Sequence, residues 1–138
     1  MKTTVKKAYE AYVALDVAKV TTLEVAERQI VTSLWYALTE VGEKHKAFVE
    51  KARKNLKPDG YDEMILKGRY TPEEAMRLAK MRTEFDKAVD AVVDPEAEKE
   101  VEVNISQKLS RTIVEKMIAE NAWPMSAHRD MAIVIDPK

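Results

Sequence analysis

The sequence contains no cysteine and only three glycines among its 138 residues. The absence of cysteine excludes disulfides, thiolate metal sites and cysteine nucleophiles. The scarcity of glycine argues against an all-β protein, which needs many tight turns, and against phosphate loops and dinucleotide-binding motifs, which need clustered glycine. These absences favour a helical protein that carries none of those sites.

The sequence also lacks an apolar run long enough to cross a membrane. Near its start, Tyr9, Glu10 and Asp16 interrupt any hydrophobic segment of the kind that a signal peptide requires. Hydrophobic residues make up 46% of the chain and charged residues 34%, which is typical of a soluble globular protein. We therefore expect a cytoplasmic protein with no membrane partner, folded as a single domain over residues 1–138.

The charges are nearly balanced, with a formal net charge of -1, so nothing attracts nucleic acid to the chain as a whole. Their distribution is uneven. Residues 1–58 carry 11 Lys/Arg and 7 Asp/Glu, whereas residues 59–138 carry 12 and 17. The asymmetry of +4 against -5 predicts that the two halves pack on one another.

Apolar residues at helical spacing predict a first amphipathic helix of about four turns that breaks near Lys19. Thr21 and Glu24 have the spacing of a capping box, which predicts that a second helix starts there. The alternative is one continuous helix, because the apolar stripe continues without a change of phase. The stripe of the first helix consists of Val5, Tyr9, Tyr12, Val13, Val17 and Val20.

The second helix is predicted to be the dominant element, with one apolar face that extends for over thirty residues. A seam of that length cannot be covered by one short neighbour, so it requires at least two other elements or a second chain. Pro58 and Gly60 end the helix. The seam consists of Leu23, Ala26, Ile30, Leu34, Leu38, Val41, His45, Phe48, Ala52 and Leu56.

Residues 61–70 form a connector with room for one helical turn. A third helix follows, in which Thr71 is the N-cap, Pro72 the first helical residue and Glu74 the second member of a capping box. The short connection predicts that this helix lies antiparallel to the second. Its apolar face consists of Ala75, Leu78, Phe85, Val89 and Val92, and Asp94-Pro95 either ends it or starts one more turn.

Residues 100–106, EVEVNIS, alternate polar and apolar positions and predict a half-buried strand. A fourth helix follows from about Leu109 to Asn121. Residues 126–135 fit either a short last helix capped by Ser126, which we favour, or a second strand.

A lone strand leaves backbone donors and acceptors unpaired, so the 100–106 strand needs a partner. Three candidates exist: the N-terminal TTV at 3–5, the C-terminal AIVI at 132–135, and the same strand in another copy of the chain. We favour an intramolecular two-stranded ribbon over self-pairing.

The sequence offers no catalytic residue, no cofactor site and no metal ligand set. His45 and His128 are the two histidines, and neither follows a glutamate at the spacing of a di-iron bundle. HExxH and calcium-loop patterns are also absent. We therefore expect that the protein is not an enzyme.

Two candidate surfaces remain. The first is a protein interface at the strand and the loop that follows the fourth helix, made of Val101, Val103, Ile105 and Trp123. The alternative function is a nucleic-acid-binding regulator that uses the basic segment 44–57. Its cations are Lys44, Lys46, Lys51, Arg53, Lys54 and Lys57, although cations also suit the C-terminal end of any helix.

The order of these parts resembles that of small, uncharacterised helical proteins of bacterial phages and mobile elements. A long helix from TTLEVAERQIV to KARKNLK is followed by MRTEFDKAVDAVV, by the strand-like EVEVNI and by LSRTIVEKMI. The resemblance implies a cytoplasmic accessory or assembly protein that acts through protein–protein contacts, and it assigns no role to any residue. The expected fold is mainly α: a long antiparallel helical hairpin with additional helices and one short strand or two-stranded ribbon. We also expect the protein to form a homo-oligomer.

Overall fold

A computed structural model of the protein describes residues 1–137. The fold is mainly helical with one two-stranded ribbon, as predicted. The chain forms two compact units. One contains residues 1–46 together with residue 97 onward, and the other contains residues 47–96. The single-domain assignment stays a prediction.

The elements follow one another along the chain as the sequence order predicts, with a long helix that belongs to both units. They are β1 (Lys2–Thr4), α1 (Val5–Asp16), α2 (Val25–Leu56), α3 (Tyr61–Leu66), α4 (Pro72–Ala97), β2 (Glu100–Glu102), α5 (Arg111–Asn121), α6 (Ser126–Asp130) and a 3₁₀ helix (Ala132–Val134).

The predicted strand pairs within the chain. β1 and β2 are antiparallel, with Thr3 opposite Val101. The backbone N–H of Val103 donates to the carbonyl of Met1 at 2.9 Å, which extends the ladder past β2. The favoured intramolecular ribbon with the N-terminal segment is thus confirmed, but β2 is shorter than the predicted strand over 100–106.

The core of the first unit gathers apolar side chains from α1, α2, α5 and the C-terminal segment. Leu34 and Leu38 of the predicted α2 seam are 1% and 0% exposed within it. In this unit the seam is therefore covered by several elements, as its length predicts. The core consists of Ala8, Ala11, Tyr12, Leu15, Leu23, Val31, Leu34, Leu38, Val103, Leu109, Ile113, Val114, Met117, Met131 and Val134.

The predicted stripe of the first helix is partly wrong. Val13 and Val17 are 41% and 69% exposed, and α1 ends at Asp16. The buried face instead includes Ala8 and Ala11, which are fully buried. Small side chains let helix backbones approach closely, so the packed face of α1 is centred on alanines rather than on the larger valines.

The predicted capping box at Thr21 and Glu24 is also wrong. The backbone N–H of Glu24 donates to the side-chain carboxylate of Glu27, at 2.9 Å, and α2 begins after Glu24. Thr21 and Thr22 instead donate to the carboxylate of Glu120 from their backbone N–H groups, at 2.8 and 3.2 Å, and from their hydroxyl groups. A distant carboxylate therefore takes the place of the local cap.

The C-terminal segment was predicted as either a short helix or a second strand over residues 126–135, and it has features of both. α5 covers the predicted fourth helix, and Ser110 caps it through a hydrogen bond from the N–H of Ile113. Residues 126–135 contain α6 and the 3₁₀ helix, although Ser126 is not their cap. The N–H of Leu109 donates to the carbonyl of Val134 at 2.7 Å in an isolated parallel bridge. The helical prediction for residues 126–135 is confirmed, and the only strand-like pairing of this segment in the described chain is that one bridge.

Candidate functional site

The second unit is an antiparallel helical hairpin made of the last part of α2, the short helix α3 and most of α4; we call residues 47–96 the hairpin. Its second arm begins as predicted. The hydroxyl of Thr71 accepts from the N–H of Glu74 at 3.1 Å, and the Glu74 carboxylate accepts from the N–H of Thr71 at 3.2 Å. This capping box sets where α4 starts and therefore which of its residues face α2.

Phe85 is the centre of the hairpin core. It is 2% exposed, and the ring of Tyr61 meets it edge-on with a centroid distance of 5.3 Å. The guanidinium of Arg53 lies 4.8 Å from the same ring centroid and pairs with Asp86 at 3.8 Å. These contacts connect α2, α3 and α4 through one aromatic side chain.

The core of the hairpin is thin. Within residues 47–96, the fully buried hydrophobic side chains are Ala52 of α2 and Leu78, Phe85 and Val89 of α4, each 7% exposed or less. All three α4 residues lie within about 40° of one another around the helix. α4 thus buries a narrow stripe against its neighbour.

A second set of apolar residues runs beside that stripe on α4. Met81, Ala88 and Val92 lie within about 40° of one another and are turned by about 60° from the buried stripe. Met81 and Ala88 are half-buried, and Val92 is 44% exposed. We call these three residues the second apolar edge. Together with the buried stripe they give α4 the broad apolar face of a helix that packs against more than one neighbour.

The connection end of the hairpin exposes further large hydrophobic side chains. Leu66 of α3 and Met76 of α4 are 83% and 75% exposed, and Leu56 and Ile65 are each 37% exposed. Single exposed apolar residues are ordinary on protein surfaces. Here, however, they accompany the second apolar edge on a unit with a very small core, so the hairpin is the best candidate for an interaction surface.

The predicted interface residues near the strand lie largely in or against the core of the first unit. Val103 is 2% exposed, and Val101, Ile105 and Trp123 are half-buried against the core cluster. Met125, two residues beyond Trp123, is 84% exposed. An interface at these four residues stays a prediction. Because Val103 is buried, it would support such an interface from the core and not by direct contact with a partner.

The six predicted nucleic-acid contacts are all exposed, but two of them are engaged within the hairpin. Besides the contacts of Arg53 with Asp86 and Phe85, Lys57 pairs with Asp62 at 3.3 Å. Glu50 also lies on the same side of the helix, one turn before Arg53 and Lys54. These acidic neighbours reduce the positive electrostatic potential around the basic segment. The nucleic-acid-binding alternative stays a prediction.

One groove of the first unit is lined by charges of both signs. Its volume is about 850 Å³. A balanced lining of this kind favours neither an anion nor a cation. The charged side chains around it are Lys6, Lys7, Lys108 and Arg129 together with Glu10, Glu98 and Asp130.

Two further buried polar side chains lie in the first unit. Tyr12, 3% exposed, donates its hydroxyl proton to Glu43, and this hydrogen bond together with burial raises the pKa of Tyr12 to about 12. His45 is buried and meets the ring of Tyr9 edge-on, at a centroid distance of 4.8 Å. Across residues 1–137, no group of three or more His, Asp or Glu side chains is arranged to hold a metal ion.

None of the helices within the described chain is both long and apolar enough to span a bilayer.

The sequence signal for the second apolar edge is the spacing of Leu78, Met81, Phe85, Ala88 and Val92, which alternates steps of three and four residues. That spacing is the a/d pattern of helices that pack side by side. The predicted apolar face of α4 omits Met81 and Ala88. The observed face is therefore wider than predicted, and it is wide enough for two neighbours.

Comparison of the chain with protein families, with curated proteins and with solved structures finds no match.

Proposed function

We propose that this chain is a non-enzymatic protein-interaction or assembly protein that works as a homo-oligomer. The observation that carries the proposal is the second apolar edge of α4. Two helices cover only one side of each other, and the hairpin leaves Val92 44% exposed beside half-buried Met81 and Ala88. Covering this edge with another protein removes apolar surface from water, which is the main driving force of association.

The hairpin also explains why association would be useful to this chain. Its 50 residues bury few apolar side chains of their own, and small units with small cores commonly gain stability by oligomerising. Exposed Leu66 and Met76 add apolar surface at the connection end. The resemblance to phage and mobile-element proteins supports placing this activity in the cytoplasm of a bacterial host, as an accessory or assembly function.

The test is the mass of the full chain in solution, compared with that of Val92→Glu. Val92 is already exposed, so the substitution should leave the hairpin folded, whereas a carboxylate at a covered edge carries a desolvation cost. We expect wild type to sediment above the 15.7 kDa of one chain, and Val92→Glu to raise the Kd about hundredfold.

Thr83→Glu is the matched control. It adds the same charge to the same helix, but Thr83 is exposed on the side opposite the buried stripe. The control should associate like wild type, and circular dichroism should show equal helicity for all three chains. The proposal fails if wild type sediments as a 15.7 kDa monomer at every concentration, or if Val92→Glu associates as well as the control.

A further inference from the structure

Tyr36 of α2 is an exposed aromatic side chain with well-packed support. It is 69% exposed, and the ring of Trp35 meets it edge-on with a centroid distance of 5.0 Å. Trp35 is held in turn from two sides, because its indole N–H donates to Asp16 at 3.0 Å and its ring stacks on that of Tyr12, 6.3 Å away between centroids. An exposed ring that is supported in this way is a platform on which another planar ring can stack.

The face of α2 around Tyr36 carries no charge. Gln29, Thr32, Ser33 and Tyr36 are all exposed and lie within about 100° of one another around the helix. Charged residues make up 34% of the whole sequence, yet residues 29–39 include none. The amide and hydroxyl groups of this face can both donate and accept hydrogen bonds, which suits a ligand with polar ring edges.

These side chains line a groove that contains one cation and no carboxylate. Its volume is about 610 Å³, within the roughly 300–1,000 Å³ of small-molecule sites. The cation is Arg28, whose guanidinium forms no ion pair within residues 1–137. An unpaired guanidinium without an acidic neighbour in the groove attracts an anionic group, and its planar fork suits phosphate. The groove is lined by Val25, Arg28, Gln29, Thr32, Ser33 and Tyr36.

From the supported ring, the uncharged face and the single cation, we infer that residues 25–36 of α2 form a nucleotide-binding site. The base stacks on Tyr36, the amide of Gln29 pairs with the polar edge of the base, and Arg28 binds the phosphate. Stacking on an aromatic ring, amide pairing and arginine–phosphate contacts are established ways of holding these three parts of a ligand. The ligand is a base joined to a phosphate, supplied by a free nucleotide or by single-stranded nucleic acid.

One ligand can reach both ends of this site. Arg28 and Tyr36 are eight residues apart, about 12 Å along the helix axis. Long side chains on a helix lean towards its N-terminus, so the ring of Tyr36 lies over the turn that precedes it, on the side of Arg28. Both residues accordingly line the same groove. The site belongs to the first unit and the second apolar edge to the hairpin, so the inference does not depend on the proposed function.

The test is titration of the full chain with AMP, followed through the backbone amide NMR signals of residues 25–36. AMP is chosen because a glutamine amide pairs with adenine through two hydrogen bonds. We expect saturable shifts of these signals. Tyr36→Ala should raise the Kd about tenfold, the size of a typical loss of base stacking, whereas Tyr36→Phe keeps the ring and should bind like wild type.

Arg28→Gln separates the phosphate contact from the base contacts. This variant should raise the Kd for AMP about tenfold, because it removes a charge-assisted hydrogen bond. Adenosine has no phosphate, so wild type and Arg28→Gln should bind it equally. Arg28 and Tyr36 are both exposed, and circular dichroism should show the same helicity for every variant.

A short oligoadenylate RNA identifies the source of the base. Binding that is tighter than that of AMP and weakens as salt is added assigns single-stranded nucleic acid, and binding no tighter than that of AMP assigns a free nucleotide. Either result supports the site.

The inference fails if millimolar AMP shifts none of the signals of residues 25–36, or if Tyr36→Ala binds AMP as tightly as Tyr36→Phe does. It also fails if Arg28→Gln weakens adenosine as much as AMP. Each of these results leaves the proposed function in place, because the solution mass of wild type and of Val92→Glu tests that function separately.

Discussion

Gly42 of α2 lies close against Tyr12 of α1. A Cβ atom at this position would lie 2.4 Å from two ring carbons of Tyr12. The ring has little room to move, because Tyr12 is 3% exposed and its hydroxyl donates to Glu43 on the helix that carries Gly42. The glycine is therefore required by close approach of the two helices, not by an unusual backbone conformation.

Gly42→Ala should lower the free energy of unfolding by about 1 to 2 kcal/mol. Overpacking a filled core costs roughly 1–3 kcal/mol, and the better helix propensity of alanine returns part of it. Urea denaturation measures the change. In a Tyr12→Ala background the two ring carbons are gone and only the Cβ of residue 12, at 3.0 Å, remains close, so the same substitution should cost much less stability than in wild type. An equal loss in both backgrounds would contradict the steric explanation.

At the scale of elements, Glu120 near the end of α5 holds the segment that precedes α2. Hydrogen bonds from Thr21, and then from Thr22, keep the pKa of the Glu120 carboxyl below its ordinary value of 4.5. A carboxyl with a lowered folded-state pKa stabilises the fold above its unfolded pKa. That contribution disappears as the pH falls below 4.5 towards the folded-state pKa.

Glu120→Gln should therefore lower the Tm at neutral pH, and the difference from wild type should shrink as the pH falls from about 5 to about 3. Thermal melts across that range measure it. Thr21→Val removes one of these hydrogen bonds, the one from the Thr21 hydroxyl, and should reproduce part of the effect. A Tm difference that stays constant over the whole range would show that the carboxylate charge is not what stabilises this link.

The same region shows how far sequence reasoning reaches. The capping box at Thr71 and Glu74 was predictable, because both partners are local and Glu74 binds Thr71 with one carboxylate oxygen while the other pairs with Lys67. The box at Thr21 was not, because Glu120, ninety-nine residues away along the chain, binds that threonine instead. Local rules identify which side chains can cap a helix, whereas tertiary contacts decide which of them do.

The strand and the candidate site also show that local patterns predict what a segment can do, whereas tertiary contacts decide what it does. The need of a strand for a partner predicted that β2 pairs within the chain but left the N-terminal and C-terminal segments as alternatives, and the structure shows the N-terminal one. The second apolar edge was missed because the predicted apolar face of α4 left out Met81 and Ala88. The a/d spacing that includes Met81 and Ala88 is present in the sequence, but only their half-burial beside fully buried Phe85 shows that one neighbour leaves part of the face uncovered.

For the molecule as a whole, the two compact units differ in how well they bury their own apolar residues. The unit of residues 1–46 and 97 onward has a core drawn from several helices and the C-terminal segment. The hairpin of residues 47–96 buries few side chains and exposes large ones such as Leu66 and Met76. We propose that the first unit supplies stability and that the hairpin is the part specialised for binding other proteins.

The most direct test of this account is the chemical accessibility of the second apolar edge as the protein is concentrated. Val92→Cys introduces one thiol at the edge of an otherwise cysteine-free chain, and Thr83→Cys introduces one on the far side of the same helix. We predict that alkylation of Cys at position 92 slows at least about tenfold between concentrations well below and well above the Kd, while alkylation at position 83 stays unchanged. Alkylation at position 92 that proceeds at the same rate at every concentration would contradict the account.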